Sequence, residues 1–227
     1  MAKTMYTTLL ELPLFQGLGI DDITRIVEGM ELDFNVVNEG RRLIAEDSPC
    51  TGLTFLLSGQ LRVSTASADR SWHVEELLDA PSVVGLDVLY GSRRTHRHSY
   101  VAHQRSRVMF VAKHGVGALI ARFDVFRINV LNALTTQVER TRQPLWLPPD
   151  SSTEGRIIRF FLTHVQRPAG PKRFCISQAR LGEYLGEDKR YVSAALHRLE
   201  QQGLLTNERR LISIEAFERL LHDYRQK

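Results

Sequence analysis

The stretch "LGEYLGEDKRYVSAALHRLEQQGLL", residues 181–205, decides how the rest of the chain is read. In its first half Leu181, Tyr184 and Leu185 fall on one helical face; Ser177 is placed to cap that helix, and Gly186 supplies the positive φ that ends it. Asp188 can cap a second helix, in which Val192, Ala195, Leu196 and Leu199 recur at the i, i+3, i+4, i+7 positions of a core stripe. Gly203 then ends this helix and lets Leu204 fold back. Two helices joined by residues 186–188 are predicted.

At 100° per residue, the face opposite the core stripe carries Arg190, Ala194, His197 and Gln201, flanked by Lys189, Tyr191, Ser193 and Arg198. It is rich in donors and almost free of acids. Downstream, "LLTNERRLISI" (204–214) reads as two short strands about a turn at Glu208-Arg209, a β-wing that sets Arg209 and Arg210 beside the helix. The pattern is a winged helix-turn-helix. A helix fits the major groove, bases are read from its first turns, and phosphates favour cations and helix N-termini, so Ser177 and Gln178 join the predicted DNA-binding set.

Charge supports an anionic partner for this region. Residues 151–227 hold 14 Lys+Arg against 9 Asp+Glu, a net of +5, whereas residues 1–150 hold 16 against 17, a net of −1. With 227 residues, 43% hydrophobic and 25% charged, the composition is that of an ordinary globular protein of about two domains. No apolar run approaches the roughly 20 residues that span a bilayer, and "MAKTMYTTLLELPLF" is too short and too broken for a secretory signal, so a cytoplasmic location is expected. Cys50 and Cys175 fit no zinc or disulfide spacing.

Between Phe34 and Val111 apolar and polar residues alternate. In "LTFLLSGQLRV" (53–63) Leu53, Phe55 and Leu57 are expected to share a face, with Leu61 and Val63 resuming after a turn at Ser58-Gly59. Further turn signals at Asn38-Glu39-Gly40, Ala80-Pro81 and Gly91-Ser92 suit a small β-barrel or sandwich. Beyond Gly117 the period lengthens: Phe123, Phe126, Val130, Leu131, Leu134 and Val138 make the stripe of one long helix, a packing face or a seam for a second copy. Pro144, Pro148 and Pro149 stop it, and Ser151 and Glu154 have the spacing of a capping box for a helix bearing Ile157, Ile158, Phe161 and Leu162. A domain boundary is expected near residue 148.

Four segments together resemble the Crp-Fnr family of bacterial transcription regulators: "LPLFQGL" (12–18), "NEGRRLIAEDSPCTGLTFLLSGQLRV" (38–63), the long helix, and "ISQARLGEYLGEDKRYVSAALHRLEQQGLL" (176–205). The first is similar to the family's opening helix and the second to its glycine-punctuated β-roll. The resemblance implies an α+β chain: a cyclic-nucleotide-binding-like double-stranded β-helix (jelly roll) over 1–116, a dimerisation helix and linker over 117–147, and a winged helix-turn-helix over 148–227. It implies a homodimer about Phe126, Val130, Leu131, Leu134 and Val138, a double-stranded DNA operator, contact with RNA polymerase, and no catalytic residues.

The chain departs from that family at two places. Members that bind cyclic AMP carry a phosphate cassette resembling F-G-E with a later R-S or R-T. Here, in "VVGLDVLYGSRRTHRHSYVA" (83–102), Gly85 fits, Leu86 stands at the glutamate, and His96 and Arg97 stand at the arginine and its hydroxyl neighbour. Leucine cannot accept from a ribose hydroxyl, so cyclic AMP is not expected; the pocket set becomes Gly85, Leu86, Arg94, His96, Arg97 and His98 toward an unknown small effector. No cofactor or metal is expected, the alternative being a cupin-like metal-binding protein or enzyme using the His96-x-His98 pair. In the recognition helix Arg190 replaces an acid and Ala194 an arginine of the family pattern, so the base preference must differ.

Overall fold

The computed structural model describes residues 5–142 and 151–225. Internal contacts divide the chain into two units: Met1–Val63 with Leu78–Glu139, and Ser64–Leu77 with Arg140–Lys227. The expected boundary near residue 148, with Pro144, Pro148 and Pro149, lies outside the described residues. Among those residues, no helix is long and apolar enough to cross a membrane.

The first unit opens with α1 (Met5–Leu10) and α2 (Ile20–Gly29). The strands β1 (Asp33–Val37), β2 (Arg42–Ile44), β3 (Gly52–Ser58), β4 (Gln60–Ala66), β5 (His73–Asp79), β6 (Ser82–Val84), β7 (Ser99–Ala102) and β8 (Ser106–Ala112) follow. One antiparallel sheet has the order β1-β8-β3-β6, and β4-β7-β2 are neighbours in another. Leu56, Val84 and Val108 from the first sheet and Leu61, Val63, Tyr100 and Ala102 from the second form one buried cluster, so the sheets cover each other's apolar faces. The N-terminal unit is β-rich, as alternation predicts.

β3 departs from the expected one-sided pattern: Gly52 through Leu56 are all buried. Leu53 and Phe55 pack in a core with α1, α2 and the later helices, while Leu56 joins the inter-sheet cluster. A central strand covered on both sides loses the two-residue signal. The turn after it holds, with Gly59 at φ +94, where a Cβ would come within 2.4 Å of the Ser106 hydroxyl. The "LPLFQGL" segment is not a helix; residues 11–17 run in turns between α1 and α2, and Leu12, Leu14, Phe15 and Leu18 are buried. Pro13 and Gly17, the latter at φ +87, are poor material for a helix interior.

The expected long helix is two. α3 (Lys113–Arg122) starts before Gly117, and an extended Phe123 separates it from α4 (Asp124–Arg142). The predicted stripe divides accordingly. Phe126 and Val130 are buried in the first unit's own core and Leu134 is half-buried against it, whereas Leu131 and Val138 are exposed. Phe126 and Val130 therefore cannot meet a partner, a correction to the seam read from sequence. The exposed apolar positions include Ile128, and with Thr135 they run 128, 131, 135, 138, the 3-4-3 spacing of heptad a and d sites.

The second unit comprises α5 (Thr153–His164), β9 (Lys172–Cys175), α6 (Gln178–Leu185), α7 (Lys189–Gln201), β10 (Thr206–Glu208), β11 (Leu211–Ile214) and α8 (Phe217–Arg225). Ser152, not Ser151, caps α5, its hydroxyl accepting from Gly155 N at 3.0 Å. Sequence reading leaves 64–77 with the β-roll, yet this hairpin tip packs here: His73–Glu76 of β5 pair antiparallel with Lys172–Cys175 of β9. Trp72 and Val74 are buried with Phe160, Phe161, Phe174, Leu181 and Leu196. Glu76 and Lys172, 5% and 2% exposed, form a buried ion pair at 3.3 Å. Glu76 also accepts from Gln166 N and Arg167 N, and Lys172 donates to Ala169 O, so both charges are compensated.

Candidate nucleic-acid interface

The helix-turn-helix is built by local chemistry. The Ser177 hydroxyl accepts from Arg180 N at 3.2 Å to open α6. Gly186, left-handed at φ 66, closes it, and Glu187 N donates to Gly182 O at 2.9 Å across the turn. Gly182 is a requirement the sequence reading missed. A Cβ there would lie 2.7 Å from Glu187 O, so the turn can fold back on α6 only without a side chain. Its sequence signal is a glycine inside an otherwise good helix.

α7 starts at the Asp188 cap and buries Val192, Ala195, Leu196 and Leu199. Gly203, at φ 68, ends it, with Leu204 N donating to Leu199 O. With that stripe in the core, Lys189, Arg190, Tyr191, Ala194, His197 and Arg198 are exposed, and Ser193 is half-buried. The wing forms with Thr206 opposite Ser213 and Glu208 opposite Leu211, placing Arg209 and Arg210 in the turn, one residue later than predicted. Asn207 N donates to a Glu200 carboxylate oxygen, fastening the wing to α7.

The cations fall into two groups. Arg156 pairs with Glu187, Arg198 with Glu154, and Arg180 with both Asp69 and Glu183. Hydrogen bonds from Ser67 and Ser71 hold the Asp69 carboxyl well below the usual carboxylate range, so it is ionised opposite Arg180. Arg198, expected at the interface, is thus held by α5. Lys189, Arg209 and Arg210 are exposed and make no ion pair among the described residues, while Ser177 is committed to its cap and Gln178 is half-buried. Arg190 is 85% exposed on its side chain; its Nε donates to Asp188 Oδ1 at 3.1 Å and its Nη2 to Oδ2 at 3.4 Å.

The predicted effector residues of the first unit are less concentrated. Gly85 takes φ +94 beside Cys50 and the His96 ring. Leu86 packs against the core. His96 is buried, while Arg94 and Arg97 are exposed and His98 is half-buried. Backbone bonds between His96 N and Ser48 O, and between Cys50 N and Arg94 O, tie the loop to residues 48–50. The chain bends at Arg97 and His98, so His96 and His98 do not lie on one extended segment. Burial lowers the pKa of both histidines, against a smaller opposing pull from Asp87. Among the described residues, no group of three or more His, Cys, Asp or Glu is arranged to hold a metal ion.

Residues 155–222 match the model of the Crp-like helix-turn-helix domain. The catabolite activator protein of Thermus thermophilus is 17% identical, with 93% of this chain and 97% of that one covered and a TM-score of 0.49. FixK2 of Bradyrhizobium japonicum is 19% identical, with 86% and 97% covered and a TM-score of 0.48. A search of curated proteins finds no match. A β-rich unit, helices and a winged helix-turn-helix follow one another along the chain, and the segment that matches the Crp-like helix-turn-helix model lies within α5 to α8.

Proposed function

We propose that the chain is a homodimeric transcription regulator of the Crp-Fnr type that binds double-stranded DNA by sequence, with α7 in the major groove. The observation that carries this reading is the division of α7, whose core stripe is buried while Lys189, Arg190, Tyr191, Ala194 and His197 stand exposed. Lys189, Arg209 and Arg210, unpaired among the described residues, suit phosphates, for which such a cation replaces condensed counterions at no cost in broken ion pairs.

Dimerisation is supported by the exposed seam of α4. Ile128, Leu131 and Val138 are about half exposed, and the Thr135 hydroxyl donates to Leu131 O at 2.8 Å, which satisfies the one polar group in the row. A second copy of α4 is the natural cover for such a seam. Two copies would then address half-sites about 34 Å apart. Leu86 offers no acceptor to a ribose, so the effector we propose is not cyclic AMP; RNA polymerase is the further partner at the operator, and the cytoplasm the site of action.

Selection of the purified protein against a randomised duplex library tests this reading. A near-palindromic motif should be enriched, and footprinting should protect it on both half-sites. Enrichment of no sequence would overturn it.

A further inference from the structure

The first turn of α7 holds a second arrangement that the DNA-binding reading does not use. Asp188 serves two groups at once: one carboxylate oxygen accepts from Arg190 N at 2.8 Å, the helix cap, and the two oxygens together take Nε and Nη2 of the Arg190 side chain. The cap bond already immobilises the carboxylate. Arg190 thus folds over an anchor fixed for another reason, and only its own side chain is ordered by the contact. The hydrogen bonds from Arg190 lower the pKa of Asp188, so the carboxylate is charged at neutral pH.

A guanidinium has five N–H donors in a planar fork. Asp188 takes two along the side-on edge, which leaves three, including the pair at the far end. That pair matches the two acceptors, O6 and N7, that guanine shows in the major groove. An unrestrained arginine at this position would reach phosphates or bases with equal ease, because its long side chain can point either way. A carboxylate set behind it biases the fork away from the backbone, where a second negative charge would repel the phosphates. Lys189 beside it has no such partner among the described residues and keeps a point charge without a plane.

We propose that Asp188 is a positioning residue that holds the Arg190 guanidinium side-on, so that its free edge specifies a guanine in each half-site. The inference rests on the DNA-binding reading above. A surface pair of this kind adds little to stability. Its effect is on orientation and therefore on base preference.

The test is selection from the randomised duplex library with the full chain and with Asp188→Asn, Arg190→Lys and Arg190→Ala, alongside thermal melts. Asparagine caps a helix about as well as aspartate, so Asp188→Asn keeps α7 while removing the charge behind the arginine. The wild type should enrich guanine at one position of each half-site. Asp188→Asn should melt as the wild type does, bind non-specific duplex at least as well, and lose about tenfold of its guanine preference at that position alone. Arg190→Lys should lose the same preference. Full guanine preference in Asp188→Asn would show the carboxylate to be a cap only, and overturn the proposal. So would an Arg190→Ala protein that weakens equally on every sequence, since that is the behaviour of a phosphate contact. A wild type that enriches nothing strikes the DNA-binding reading itself, whereas a motif enriched by the wild type and unmoved by these variants strikes only this one.

Discussion

Two cation-rich stretches of similar composition behave differently. Residues 93–98, "RRTHRH", sit in an irregular loop, where backbone bonds to residues 48–50 set each side chain's direction one at a time: His96 turns inward, Arg94 and Arg97 outward. Residues 189–198 lie on a helix, where burying Val192, Ala195, Leu196 and Leu199 forces Lys189, Arg190, Ala194 and His197 to the other side together. A repeating backbone turns one decision about the core into a whole surface; a loop makes no such promise.

The frame beneath the helical surface offers the largest expected effect. Glu76→Ala leaves Lys172 charged and 2% exposed without its partner, which should destabilise the second unit by about 3–5 kcal/mol in denaturant melts. A cost under about 1 kcal/mol would mean the hairpin tip is not part of that core. Next comes the surface itself. Arg190→Glu should cut operator affinity about a hundredfold or more in anisotropy titrations, with the oligomeric state by light scattering unchanged, because the side chain is 85% exposed. Loss of the oligomer as well would break the division into a buried and a presented face.

Leu131→Asp should dissociate the proposed dimer in sedimentation runs and shift the melt of the first unit little, as Leu131 is exposed; Phe126→Ala should do the reverse and cost about 3–5 kcal/mol. Lys189→Ala should lower the salt slope of binding by about 0.9 for each phosphate it no longer neutralises, without altering base preference. The loop supplies the smallest effects. Arg94→Ala and Arg97→Ala, both exposed, should change the stability of the first unit by under about 0.5 kcal/mol. His96 and His98 have pKa values lowered by burial, so the unfolded chain takes up protons first. Their contribution is complete above the unfolded pKa of about 6.5 and is lost as pH falls through the folded values. A His96→Gln variant should show a flatter decline in stability below about pH 6.5 than the wild type.

How legible each element was follows from the range of its causes. Caps, turn glycines and the α7 stripe depend on neighbours within four residues, so Ser177, Gly186, Asp188 and Gly203 could be read directly. The cap of α5 shifted by one, because two adjacent serines compete and only backbone geometry chooses Ser152. In α4, Phe126 and Val130 carry the same hydrophobic signal along the chain as Leu131 and Val138, yet the first two are buried and the last two exposed.

The linear chain by itself determined the helix pair, its turn, its wing and the concentration of positive charge in residues 151–227, since hydrophobic periodicity, capping and net charge are local or additive properties. Only the tertiary structure decided that residues 64–77 close the core of the C-terminal unit and that Glu76 finds Lys172. It also decided which cations are spent on ion pairs within their own unit and which stand exposed. Those outcomes join residues about a hundred positions apart, and no periodicity along a chain records which distant charge will be its neighbour.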